Sequence, residues 1–318
     1  MRPLRRLRLV CPISLSLSRC PSSESPDPNA ALGAAASSST CTQSTITITA
    51  AAQATGLGCD VVRGTLLIED KTLTEVDLDG PKQVGSIIVS NAEGLVRLSS
   101  STIKSIAGVF NMTDLNSLSA LEFSALRSVG TINWVSLDQL PGVTFGAEGV
   151  TKVSKLLISD TFISSLDGLN VASVDDLDIN NNRKLITWDS DLTNVTSSLK
   201  LQNNGAGAMI VNMPKLKTVS MMEVRNVQQF NVNALTTIGS LRFEENDKMT
   251  TFSAPNVTTA NEISFTDNQI ITNITFPKIV SMGGALTIQN NTNLMTINGF
   301  PLLNTIKGTL ILRGDFTE

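Results

Sequence analysis

From Leu66 onward an apolar-x-apolar pair followed by an Asn or Asp recurs about every 22 residues. The first apolar column reads Leu66, Ile87, Phe110, Ile132, Leu156, Leu177, Leu199, Met222, Leu241, Ile263, Leu286 and Leu310. The second reads Ile68, Val89, Met112, Trp134, Ile158, Ile179, Leu201, Val224, Phe243, Phe265, Ile288 and Leu312. None of these twelve rungs has a polar residue in either column. Alternation at period two marks a half-buried strand. Repetition at this length marks stacked coils, none able to bury its apolar face alone. The predicted fold is all-β, a right-handed parallel β-helix or leucine-rich-repeat-like solenoid of about 12 rungs.

Each rung repeats one plan. A Gly or Ser often opens it, as at Gly64, Gly85, Gly108, Gly130, Ser154, Gly239 and Gly284. After the strand comes a corner: Asp70, Asn91, Asp114, Asp160, Asn181, Asn203, Asn226, Asp267 or Asn290. Asn and Asp suit a corner because they tolerate left-handed backbone and hydrogen-bond locally. A second apolar pair follows (Leu73/Val76, Ile163/Leu166, Ile271/Ile274), then a third (Leu126/Val129, Leu216/Val219, Ile279/Met282). At one strand spacing per rung, the rod is about 53 Å long.

Both ends differ from this plan. Residues 41–63 read as a separate cap, with an alternating strand at Thr45–Thr49, a short helix-permissive Ala50–Ala54, and Gly56 to end it. Cys41 and Cys59 bracket that segment, and in an oxidising compartment a bridge would stabilise it by about 3 kcal/mol. Free thiols are the alternative. Residues 1–40 read as a leader, an imperfect signal peptide followed by a disordered segment. Met1–Arg8 is basic and Leu9–Leu17 mostly apolar, but Pro12 interrupts it. The solenoid, residues 64–318, is expected to be truncated, because Glu318 follows the twelfth strand with no polar closing repeat.

Charge narrows the partners. Without the leader's five Arg and two acids, the body holds 19 basic and 26 acidic residues, which speaks against nucleic acid. The chain has no His and no Tyr, so the commonest general base and metal ligand is missing. Five Asn-x-Thr sequons, at Asn111, Asn194, Asn256, Asn273 and Asn290, favour a secreted glycoprotein.

The rung from Gly284 to Ile306 resembles the receptor L-domain, a leucine-rich-repeat-like β-helix of insulin and growth-factor receptors. Cys41-Thr42, Ile46-Thr47-Ile48, Gly58-Cys59 and the Asn- and Thr-rich rungs look like the fungal GPI-anchored cell-wall organisation proteins. That family includes the extracellular-mutant and sporulation-specific wall proteins, and the resemblance covers residues 41–318. It implies a secreted, glycosylated, non-enzymatic protein of the cell surface and wall that supports wall organisation. Its implied partners are wall polysaccharides or wall proteins, with membrane attachment only through a GPI anchor. The family's second Cys pair, Ser-rich stalk and anchor signal are not found up to Glu318.

Asp175, Asp176 and Asp178 could be a glycosidase pair or a calcium site, but they fall at a turn and an outward strand position, as solvated acids do. No catalytic, metal or cofactor residue is therefore assigned. Trp134, Trp188 and the recurring Phe230, Phe252, Phe276 and Phe300 read as core. The residue between the two strand columns faces outward. A glycan at Asn111 would cover the third rung, leaving Asp178, Lys200, Glu223 and Arg242 as the candidate binding patch. A receptor-like ligand-binding domain is the runner-up function, and a β-helix polysaccharide hydrolase or lyase a remote one.

Overall fold

The computed structural model describes residues 39–317. The leader expected over residues 1–40 lies outside these but for Ser39 and Thr40, and Thr40 already pairs with Val61. No helix among the described residues is long and apolar enough to cross a membrane.

The rung strands form one parallel, 16-stranded sheet. Its register follows the two sequence columns. Leu66 lies beside Ile87, Ile87 beside Phe110, and the pairing continues unbroken to Leu286 beside Leu310. All these side chains are buried except Leu310 and Leu312, which are 53% and 43% exposed on the last strand. Each buried Leu, Ile or Phe contributes about 1.5–3 kcal/mol, but only with a neighbouring coil above or below to cover it.

Backbone conformation supplies the corner. Asn91, Asp114, Asp160, Asn181, Asn203, Asn226, Asp267 and Asn290 have φ between 52° and 57°. Ser136 and Glu245 take the same conformation in two of the three rungs without Asn or Asp at that position; the third has Gly314. Asp70 does not: its carboxylate accepts from the Thr72 N–H and hydroxyl, which turns the chain by a side-chain bond instead.

One position past that corner lies a buried polar ladder. Asn182, Asn204, Asn246 and Asn268 are fully buried and Asn291 is 1% exposed. The Asn182 N–H donates to Asn204 Oδ1 at 3.0 Å, and the Asn246 N–H to Asn268 Oδ1 at 3.1 Å. The Asn268 N–H donates to Asn291 Oδ1 at 3.0 Å. Each amide nitrogen donates to a carbonyl of a rung strand, as Asn204 does to Ile179 and Asn291 to Phe265. Val227 interrupts the ladder, and its N–H donates to Asn246 Oδ1.

The other sides are less regular. The long sheet bends before each rung strand, carrying a further in-register column of which Val62, Val84, Ile106, Val129 and Val153 are the first members. The second side breaks into sheets of four, three and two strands. Its first break falls between Thr144–Phe145 and Thr187–Asp189. Aromatic rings fill the interior: Phe243 lies 4.5 Å from Phe252 and 5.2 Å from Phe265, and Phe276 lies 5.3 Å from a half-buried Phe300.

The N-terminal segment is less separate than its composition suggests. Thr45–Ile48 pairs in parallel with the first rung, Ile46 beside Leu66 and Ile48 beside Ile68, so it acts as an additional strand of the stack. The helix Ala51–Thr55 buries Ala54. Cys41 and Cys59 are bonded, with Cα atoms 5.9 Å apart.

Candidate functional site

Strand alternation sends one column of the long sheet to solvent, and the candidate patch lies on it. Asp178 stands beside Lys200, Lys200 beside Glu223, and Glu223 beside Arg242, on four successive strands. All four residues are therefore brought together, with alternating charge. Opposite charges facing across strands stabilise a sheet by about 0.2–1 kcal/mol per pair, which accounts for the alternation by itself.

The ionic partners run sideways across the face. Glu223 accepts from Gln202 Nε2 at 3.0 Å and lies 3.4 Å from Arg225 Nε, while Arg225 also pairs with Glu244. Arg242 reaches Glu262 at 3.4 Å, and Lys155 reaches Asp176 at 3.1 Å. Asn180 donates to Asp178 at 2.7 Å. Among the described residues Lys200 has no carboxylate within ion-pair distance, so its charge is open to a partner. Hydrogen bonding by Ser197, with the Lys155 ammonium, holds the Asp176 carboxyl below its ordinary pKa.

The other candidate residues are spread around the stack. Asn273 and Asn290 are exposed, whereas Asn111, Asn194 and Asn256 are half-buried. Asn273 starts a short second-side strand and Asn290 sits on the left-handed corner. Asn111 accepts from Asn133 Nδ2 on the outer sheet, Asn194 accepts from the Thr218 hydroxyl, and Asn256 donates to the Asn233 carbonyl at 2.8 Å. Asp175 and Asp176 accept from Thr196 and Ser198 hydroxyls. No group of three or more metal-ligating side chains occurs among the described residues. Trp134 is fully buried and Trp188 is 5% exposed, as core residues are. Sequence columns missed the asparagine ladder; the Asn-Asn and Asp-Asn doublets at 181–182, 203–204, 267–268 and 290–291 were its signal.

A long parallel stack with side chains of mixed charge along one outward column, in a chain with five sequons, defines a repeat solenoid protein. Comparison with curated proteins gives the same class a biological setting. Sporulation-specific protein 2 of Saccharomyces cerevisiae is 30% identical over 236 residues, 74% of this chain and 46% of that protein. Protein ecm33 of Aspergillus fumigatus is 29% identical over 202 residues, 63% of this chain and 50% of that protein. A cell surface GPI-anchored protein of Arthroderma benhamiae is 28% identical over 260 residues, 81% of this chain and 66% of that protein. The chain is similar over most of its length to these Ecm33-like fungal proteins, and a place at the cell surface and cell wall is consistent with their names. It spans about half the length of the first two relatives. No family model matches it, and no solved structure does.

Proposed function

We propose that the chain is a non-catalytic, N-glycosylated wall protein, held at the surface by an anchor of the kind its relatives' names describe, that supports wall organisation by docking through its outward charged column. The observation that carries this reading is the in-register run Asp178, Lys200, Glu223, Arg242 on a stiff sheet. A rigid sheet presents such a run to a partner with little ordering cost. The open Lys200 and the half-exposed Arg242 are its cationic members.

The test is charge reversal. A Lys200→Glu/Arg242→Glu protein, expressed in a fungal host, is expected to lose much of its retention in the isolated wall fraction while keeping a cooperative melt. Undiminished retention would sink the docking role. Incubation of the purified protein with β-glucan, chitin and pectin tests the non-catalytic part, and release of reducing ends or unsaturated products would overturn it.

A further inference from the structure

A second surface feature lies where the second-side sheet is broken. There a groove of about 570 Å³ runs along the corner, lined by Asp138, Asp160, Phe162, Asn181, Arg183 and Lys184. Its size falls within the roughly 300–1,000 Å³ range of small-molecule sites.

Phe162 is the anomaly. It lies two residues past the left-handed corner, where other rungs carry Thr72, Glu93, Asn116, Asp138, Arg183, Gly205, Gln228, Asp247, Gln269 and Thr292. The last rung carries Phe316 there, partly buried against the core, so Phe162, 43% exposed, is the one exposed aromatic residue of this column. Its backbone is fixed: its N–H donates to the Leu137 carbonyl at 3.1 Å. Its neighbour Thr161 is buried, with its hydroxyl on Asn182 Oδ1. The ring is thus held outward on a rigid mount, with only the Lys184 ammonium over it, 5.1 Å from its centroid. Full burial of such a ring is worth about 1.5–3 kcal/mol, and at 43% exposure Phe162 forgoes part of that.

The polar groups around the ring are unspent. Among the described residues Asp138, Arg183 and Lys184 have no ion-pair partner, and Asp160 accepts only from Ser159. Ala206, which also lines the groove, is unusual too: it has φ 53°, in a stretch where Asn203, Gly205 and Gly207 are left-handed as well. Left-handed Ala is a strained conformation of the kind that gathers at binding sites. No sequon falls on this corner before Asn290, five rungs beyond Asn181 and roughly 24 Å away at one strand spacing per rung.

We propose that this groove binds a neutral saccharide chain, with Phe162 as the stacking platform and Asp138, Asp160, Asn181 and Arg183 as hydrogen-bonding partners for hydroxyls. The charge balance selects the class. Two carboxylates and two cations sum to zero, so an acidic glycan meets Asp138 and Asp160, and a cationic one meets Arg183 and Lys184. A neutral polyol meets donors and acceptors alone, while the apolar face of a sugar ring covers the exposed phenyl. The groove is separate from the charged column, so this inference stands or falls independently of the docking role.

Saturation-transfer NMR on the full chain, with β-1,3-glucohexaose, α-1,6-mannohexaose and carboxymethylated glucan as probes, tests it. At least one neutral hexasaccharide is expected to bind saturably and more tightly than the carboxymethylated probe. Phe162→Ala should weaken that binding about tenfold or more, as loss of an aromatic anchor does. Phe162→Trp should retain it. Both substitutions are at an exposed side chain, so an unchanged melt confirms that folding is intact. Absence of neutral-saccharide binding, tighter binding of the carboxymethylated probe, or full affinity in Phe162→Ala would each overturn the proposal.

Discussion

Asn268 shows how a polar side chain can hold an apolar coil together. Its Nδ2 donates to the Phe243 and Thr266 carbonyls and to Asn291 Oδ1, each at 3.0 Å, while its Oδ1 accepts from the Asn246 N–H. Asn268→Leu keeps the branched outline, adds some bulk and leaves these buried groups unpaired, at about 1–3 kcal/mol each, so a loss of at least about 2 kcal/mol is expected from denaturant unfolding. Asn268→Asp should be worse at neutral pH, because a carboxylate oxygen then faces those carbonyls. Its folded-state pKa is raised, so the penalty should shrink on acidification as the protonated acid regains a donor. The native acids behave oppositely. Burial pushes the Asp79 carboxyl up, but hydrogen bonds from Ser101 and Ser100 outweigh it and its pKa ends lowered. Asp176 is lowered too. A depressed folded pKa gives stability that is full above the unfolded value of about 3.9 and is lost as pH falls through the folded value. Unfolding free energy against pH should therefore decline on that acid side, and Ser101→Ala should flatten the decline. The ladder was illegible to column counting because apolar periodicity stops at the corner, one residue too early.

At the scale of the rung, glycine sets how closely coils stack. A Cβ on Gly130 would meet the Ala107 carbonyl oxygen at 2.4 Å and that of Gly108 at 2.6 Å, and backbone cannot step aside as a side chain does. Gly130→Ala is expected to cost about 1–3 kcal/mol. Gly142, with nothing within 4 Å of its would-be Cβ, serves as the control, and Gly142→Ala should leave the melting temperature nearly unchanged. Equal effects of the two would show that close stacking does not explain the glycine. The rung strands were legible in full, since each needs only two apolar residues two apart. The second side was less so: Ile163 and Leu166 keep their apolar spacing and are buried, yet residues 162–169 form no strand. Apolar spacing records which side chains face inward; it does not record whether neighbouring backbones align. The strand at 45–48 was legible as a strand, but its place in the rung register was not, because its rung lacks the corner residue.

For the whole molecule the question is whether the outward column recognises a partner or only stabilises its own sheet. Reversing Lys200 alone would set three acids in a row, so a loss of retention could come from the sheet itself. Inverting the entire column separates the two: Asp178→Lys, Lys200→Glu, Glu223→Lys and Arg242→Glu together keep alternating charge along the strands. Lateral pairs such as Arg242 with Glu262 are exposed and worth about 0–1 kcal/mol each, so the melt should move by only a few degrees. The direct measurement is the fraction of the inverted protein retained in isolated walls, beside the wild type at equal expression. The account predicts that retention collapses while the melt survives. Wild-type retention of the inverted protein would contradict it and leave the charged column a structural feature alone.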